Sequence, residues 1–215
     1  MLRYADYMRQ RTNKAGAPAK PYHHGDLRSA LLAAAELELE EKGTEAFSLR
    51  GVAKRAGVSH AAPSHHFEDV GGLLTALTAI GYERFVARME MREKKAGDDP
   101  QARLVAAGLG YIDFAAANPA LFRLMFGSKR PDFQDPALAE ASGKAFTHLV
   151  QAVAGKTRTD PHKDETAMRD VMAAWAIAHG VADLLIAGRL KFLQRLPQTK
   201  REAMIAQIID QALSA

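Results

Sequence analysis

The stretch from Ser48 to Phe67, SLRGVAKRAGVSHAAPSHHF, leaves the chain around it few ways to fold. Leu49, Val52, Ala53 and Ala56 recur at helical spacing, which gives a short helix one apolar face. Gly57 follows at once, where a helix ending in the left-handed conformation takes glycine. Val58 then fits the angle between two helices, and Ser59 is placed to cap the second. Ala53 is small enough for two helices to cross steeply against it. The pattern is a helix-turn-helix, and its second helix is expected to face a DNA groove.

The rest of the chain reads as helix too. Ala, Leu, Glu, Arg and Met dominate its 215 residues, while strand-like runs of Val, Ile and Thr are scarce, so the expected class is all-α. Apolar residues make up 47%, enough for a core. Cysteine is absent, which excludes a disulfide framework, a thiolate zinc site and a thiol nucleophile and fits a reducing cytoplasm. No apolar run approaches the roughly 20 residues a membrane span needs, and the N-terminus lacks a signal-peptide core. The expected location is therefore cytoplasmic, with no membrane partner.

Net charge is +4. Much of it sits early, in Arg3, Arg9, Arg11, Lys14, Lys20 and Arg28 against Asp6 and Asp26. Residues 1–22 show no sustained periodicity and read as a flexible basic arm, or as a tail without a role. Lys20, Tyr22 and His23 are its candidate DNA contacts, since such arms add phosphate contacts.

Helices are expected from Asp26 to Lys42, after the cap Ser48, after Ser59, from the cap Asp69 to Lys95, and from Gln101 to Ala117. Further ones are expected from Pro119, from Pro136 to Ala154, from Lys163 to Phe192 and from Thr199 to Leu213. Phe47 and Val52 form a hydrophobic staple at the second. Gly51 stands where a capping box would have its acid, weakening that helix by about 0.5–1 kcal/mol relative to Ala. Pro63 is expected to shorten or distort the first turn of the third. Gly71-Gly72 suggest a compliant joint.

With these residues in view, the chain resembles the tetracycline-repressor-like (TetR) family of bacterial transcriptional regulators. The N-terminal resemblance runs from Leu31 to Leu74. It rests on Gly43, Phe47-Ser48-Leu49-Arg50, Val52-Ala53, Ala56-Gly57-Val58-Ser59, His65-His66-Phe67 and Leu73-Leu74. Further on, Asn118-Pro119, the run Leu121 to Phe126, and a Trp-x-x-x-His-Gly pattern at Trp175, His179 and Gly180 resemble one subgroup. The resemblance implies a helix-turn-helix DNA-binding domain over 23–70 and a ligand-binding and dimerisation domain over 71–215, with about nine helices. It also implies double-stranded operator DNA, a second copy of the chain and a small-molecule effector as partners. In such a protein ligand binding swings the helix after the head and releases DNA. Ser64 stands where the family usually has Tyr, and Val70 where it usually has Lys. With Gly51, these favour an alternative: a helical small-molecule-binding protein with weak or lost DNA binding.

Within the head, Thr44, Ser48 and Arg50 combine hydroxyls, a guanidinium and free N–H groups at a helix start, which suits a phosphate. Ser48 caps the helix in either case, and Arg50 is otherwise a solvated charge. Ser59, His60, Ala61, Ser64 and His65 supply hydrogen-bonding groups and a methyl for base edges, while His66 and Phe67 are expected to pack inward. Phe114, Phe122, Met125, Phe126 and Met172, with Trp175 and His179 one turn apart, match the aromatic and methionine walls of a ligand pocket; the alternative is that they fill the core. His179 is either the pocket's polar contact or a core histidine on a backbone carbonyl. Gly180, Leu184, Ala187 and Gly188, with Met204, Ile205, Ile208 and Ile209 on the last helix, are the candidate dimer interface; the small residues could instead admit a neighbouring helix.

Adjacent histidines on a helix point about 100° apart and do not readily share an ion. No metal or cofactor site is therefore expected. No triad, carboxylate pair or phosphate loop occurs, so no enzyme is expected either.

Overall fold

The computed structural model describes residues 24–214. Good helix formers between well-marked caps divide them into ten helices, with no strand among the described residues. The head contains α1 (His24–Lys42), α2 (Leu49–Ala56) and α3 (Ala62–Phe67). The body contains α4 (Val70–Glu93), α5 (Pro100–Ala117), α6 (Pro119–Gly127), α7 (Pro136–Thr157) and α8 (Glu165–Ile186), then α9 (Lys191–Arg195) and α10 (Gln198–Ser214). Four of the starts carry an aspartate cap: Asp69, Asp99, Asp135 and Asp164 each accept a hydrogen bond from the backbone N–H three residues on.

Expected and observed boundaries differ where local chemistry competes. α1 begins two residues before Asp26. α7 runs through Gly155 and stops at Arg158, which takes the left-handed conformation itself at φ 56°. The long helix expected to reach Phe192 breaks, which is why ten helices form where about nine were implied. Gly188 lies at φ 68°, and the Arg189 N–H returns 2.9 Å to the Leu184 carbonyl. That six-to-one bond is a Schellman closure, and it ends α8 so that α9 restarts separately.

α3 also begins late. Ser59 does not cap it: the cap position is Ala61, which makes no side-chain bond, and Ser59 offers only its carbonyl, 3.0 Å from the Ala62 N–H. The shift answers Pro63. With the helix opening at Ala62, proline falls in the first turn, where no backbone N–H is required. Pro63 therefore sets the start of α3 and leaves its interior regular.

α4 ties the two parts together. It contacts α1 and α3 on one side and packs along α5, α6 and α7 on the other. One continuous core runs from Leu31, Phe47, Val52 and Phe67 in the head, through Leu73, Leu74 and Leu77, to Phe122 and Ile209 in the body. The start of α4 is a close contact: a Cβ at Gly72 would run into the Phe67 carbonyl oxygen. Gly72→Ala is expected to cost about 1–3 kcal/mol and to lower the thermal midpoint, because backbone must move. Gly71→Ala, whose methyl meets the Asp69 side chain at 3.1 Å and the Arg130 carbonyl at an ordinary 3.8 Å, should cost less. Equal midpoints for the two variants would contradict this.

No single helix among the described residues is long and apolar enough to cross a membrane, and α5 and α6 are bent by 109° relative to each other.

Candidate functional site

The head assembles around α2. Ser48 caps it, accepting from the Gly51 N–H at 3.1 Å, and Gly57 closes it at φ 69°. The Val58 N–H reaches back 3.1 Å to the Ala53 carbonyl. Phe47, Val52, Ala53 and Phe67 are buried, while Arg50, Ser59, His60, Ala61, Ser64 and His65 are exposed. Thr44 and His66 are half-buried. Lys20, Tyr22 and His23 lie outside the described residues.

One feature of the head is invisible to periodicity. The alternation Glu36-Leu37-Glu38-Leu39-Glu40 folds as helix, which buries Glu38 to 5% exposure and leaves Leu37 at 41%. Glu38 accepts from Arg55 Nε at 2.5 Å, and Arg55 also pairs with Glu41. Hydrogen bonds from Lys42 and Arg55 hold the exposed Glu41 carboxyl down at about 2. Gly51 leaves room for Glu38, since a Cβ there would overlap its carboxylate. The glycine that withholds a capping box thus admits a half-buried ion pair between α1 and α2.

Inside the body, α4, α5, α7 and α8 surround an apolar cavity of about 310 Å³, closed also by Phe126 and Ile209. Small residues on the walls, Ala107, Ala145, Ala174 and Ala178, leave the space, and aromatic rings line it. Phe85 stands edge-on to Tyr111 at 4.7 Å and to Phe114 at 5.4 Å.

Of the pocket residues read from sequence, Phe126 and Trp175 line this cavity. Phe114, Phe122 and Met125 are buried in the core outside its lining. Met172 is 50% exposed and lies elsewhere, because α8 turns it outward while Val171 faces in. His179 is neither a cavity contact nor bonded to a carbonyl: its Nδ1 is 2.7 Å from the Tyr111 hydroxyl. Burial raises the Tyr111 pKa well above its ordinary value, with Trp175 opposing. The Tyr111–His179 bond ties α5 to α8 beside the cavity.

Sequence reasoning missed Tyr82, Tyr111, Phe133, Phe146 and His148, all lining. A readable signal existed on α7, where Ser142, Ala145, Phe146, Leu149 and Ala152 recur at helical spacing. His148 in the lining is held by Glu93. Its Nε2 is 2.5 Å from Glu93 Oε1, and Arg103 Nη2 is 3.5 Å from Glu93 Oε2. Burial pushes the Glu93 carboxyl up, but the bonds and charges of His148 and Arg103 outweigh it and hold the group below its ordinary value.

The apolar face of the last helix splits in two. Ile205 and Ile209, 3% and 2% exposed, face the subunit's own core, with Ile209 against Gly108 of α5. They cannot also form an outer interface. Met204 and Ile208, each 38% exposed, and Leu184 at 44% remain outside. Gly180 has nothing within 4 Å of where a Cβ would lie, Ala187 is exposed, and Gly188 serves the α8 break.

Comparison with known proteins adds to this geometry. A family model described as bacterial regulatory proteins, tetR family, matches residues 31–77, and one described as tetracyclin repressor-like, C-terminal domain, matches residues 104–212. The chain is 30% identical over 112 residues to the HTH-type transcriptional regulator BetI of Yersinia pestis (strain Pestoides F), a match covering 52% of this chain and 57% of that relative. Among solved structures it resembles a protein of unknown function from Rhodococcus sp. RHA1, 34% identical, with TM-score 0.74, covering 92% of this chain and all of that one. It also shares its fold with a TetR-like transcriptional regulator from the same organism, 14% identical, TM-score 0.64, covering 91% of this chain and all of that one.

Proposed function

The chain belongs to the TetR family of bacterial regulatory proteins, and from that premise we propose that it is a DNA-binding transcriptional regulator, a dimeric repressor released from its operator by a small apolar or amphipathic molecule. The observation that carries this reading is the pairing, along one helix, of an exposed recognition surface and an apolar cavity. α3 presents Ser64 and His65, only two residues separate it from α4, and α4 then supplies Tyr82, Phe85 and Met89 to the cavity wall. A ligand that reshapes the cavity acts on the helix that carries the head.

In this reading Thr44, Ser48 and Arg50 hold phosphates, and Ser59, His60, Ala61, Ser64 and His65 meet base edges. Lys20, Tyr22 and His23 add contacts from the arm. Leu184, Met204 and Ile208, exposed on α8 and α10, meet a second copy. Two copies bound to DNA place their α3 helices about 34–36 Å apart or a multiple of that.

The test is fluorescence anisotropy with the promoter DNA of its own gene, titrated with salt. Preference for that duplex over a random one is expected; equal binding would sink the reading. Arg50→Ala is expected to weaken both about equally and to reduce the slope of log K against log salt by about 1. An unchanged slope would favour instead a ligand-binding protein without useful operator affinity, the reading suggested by Ser64 in place of an aromatic contact.

A further inference from the structure

We propose that the effector is an uncharged aromatic molecule of about two rings bearing one hydroxyl, and that His148 is the residue that reads the hydroxyl. This rests on the cavity being the effector site.

Size comes first. An apolar protein cavity of about 150 Å³ holds a single benzene ring. This one is about 310 Å³, room for two. Its walls favour flat rings: Phe85, Tyr111, Phe126, Phe146 and Trp175 all line it.

Polarity comes second. Most polar groups at the cavity are already satisfied by protein. The Tyr82 hydroxyl donates to the Met125 carbonyl at 3.4 Å, and the Ser142 hydroxyl to the Leu138 carbonyl at 2.9 Å. The Tyr111 hydroxyl is taken by His179. His148 differs. Glu93 holds its Nε2, which fixes the ring, and among the described residues no partner is recorded for Nδ1. With Nε2 on the carboxylate, Nδ1 is the ring nitrogen left for a ligand, and a hydroxyl, which both donates and accepts, matches it in either protonation state of the ring.

Charge comes third. Arg103 already balances Glu93. Among the described residues no Asp, Glu, Lys or Arg side chain lines the cavity, and an unpaired ion in an apolar cavity is strongly disfavoured.

Isothermal calorimetry on the full chain with 2-naphthol, naphthalene and 2-naphthoate tests the assignment. 2-Naphthol is expected to bind about fivefold tighter than naphthalene, one neutral hydrogen bond's worth, with 2-naphthoate weakest. His148→Phe, which keeps the ring, should remove the difference between naphthol and naphthalene. If that variant fails to fold, the ranking in the unmodified protein still decides. Naphthalene equal to naphthol, or naphthoate tightest, overturns the proposal and leaves the cavity as the ligand site. A preference for naphthol that persists in His148→Phe overturns the role of His148. Binding of none of the three overturns the proposal together with the cavity reading.

Discussion

Arg55→Met is expected to lower the stability of the head by about 3 kcal/mol, at the lower end of what breaking a buried ion pair costs. The partner left behind is Glu38, buried to 5% exposure, with its carboxylate against Gly51. The lower end applies because the Arg55 side chain is itself 27% exposed and water can partly replace it. Glu41 offers no substitute, since it is an anion too. The double variant Glu38→Met/Arg55→Met should recover most of the loss, because two apolar groups of similar volume leave no charge stranded. Urea denaturation followed by far-ultraviolet circular dichroism measures both. A single-variant loss under about 0.5 kcal/mol, the range of ordinary surface changes, would show that the pair is not structural.

Arg130→Ala is expected to leave ligand binding intact and to uncouple it from DNA release. The reasoning follows the loop between α6 and α7. Phe133 lines the cavity. One residue earlier, the Asp132 N–H donates to the Thr75 hydroxyl on α4 at 2.8 Å, and that hydroxyl donates to the Gly71 carbonyl at 2.8 Å. Two residues earlier again, the Arg130 guanidinium donates to the Thr44 carbonyl, in the turn before α2. Four consecutive residues therefore join the cavity wall, α4 and the helix-turn-helix. A ligand that displaces Phe133 moves the contact that positions α2. Coupling energies of this kind are about 1–3 kcal/mol, so the ratio of DNA affinities without and with 2-naphthol should fall at least about fivefold in the variant. Ligand affinity without DNA should stay unchanged. Full release in Arg130→Ala would assign the coupling to α4 alone.

Much of this protein was legible in its sequence because the signals are local. Helix caps act within three residues, so Ser48 and Asp69 announce their helices from one short window each. The turn Gly57-Val58 is equally local, and its left-handed glycine is where the chain places it. The all-helical class follows from the sum of such windows. Even Pro63 was visible as a disturbance, although its effect, a later start for α3, depended on where the missing N–H would be harmless.

What only the tertiary structure decided is which side of each helix faces which neighbour. Ile205 and Ile209 point inward while Met204 and Ile208 point out, a choice of about one step around the helix that a broad apolar stripe cannot make. Met172 reads as a pocket residue and is exposed; Phe122 and Met125 read the same way and are core. The cavity exists because alanines from α5, α7 and α8 face one another across a gap, and no one of them signals that alone. Glu38 and Arg55 are 17 residues apart, and Glu93 and His148 are 55. Each of these charges looks like surface in its own helix. It is the packing of a second helix that takes the carboxylate out of water and obliges it to find a partner.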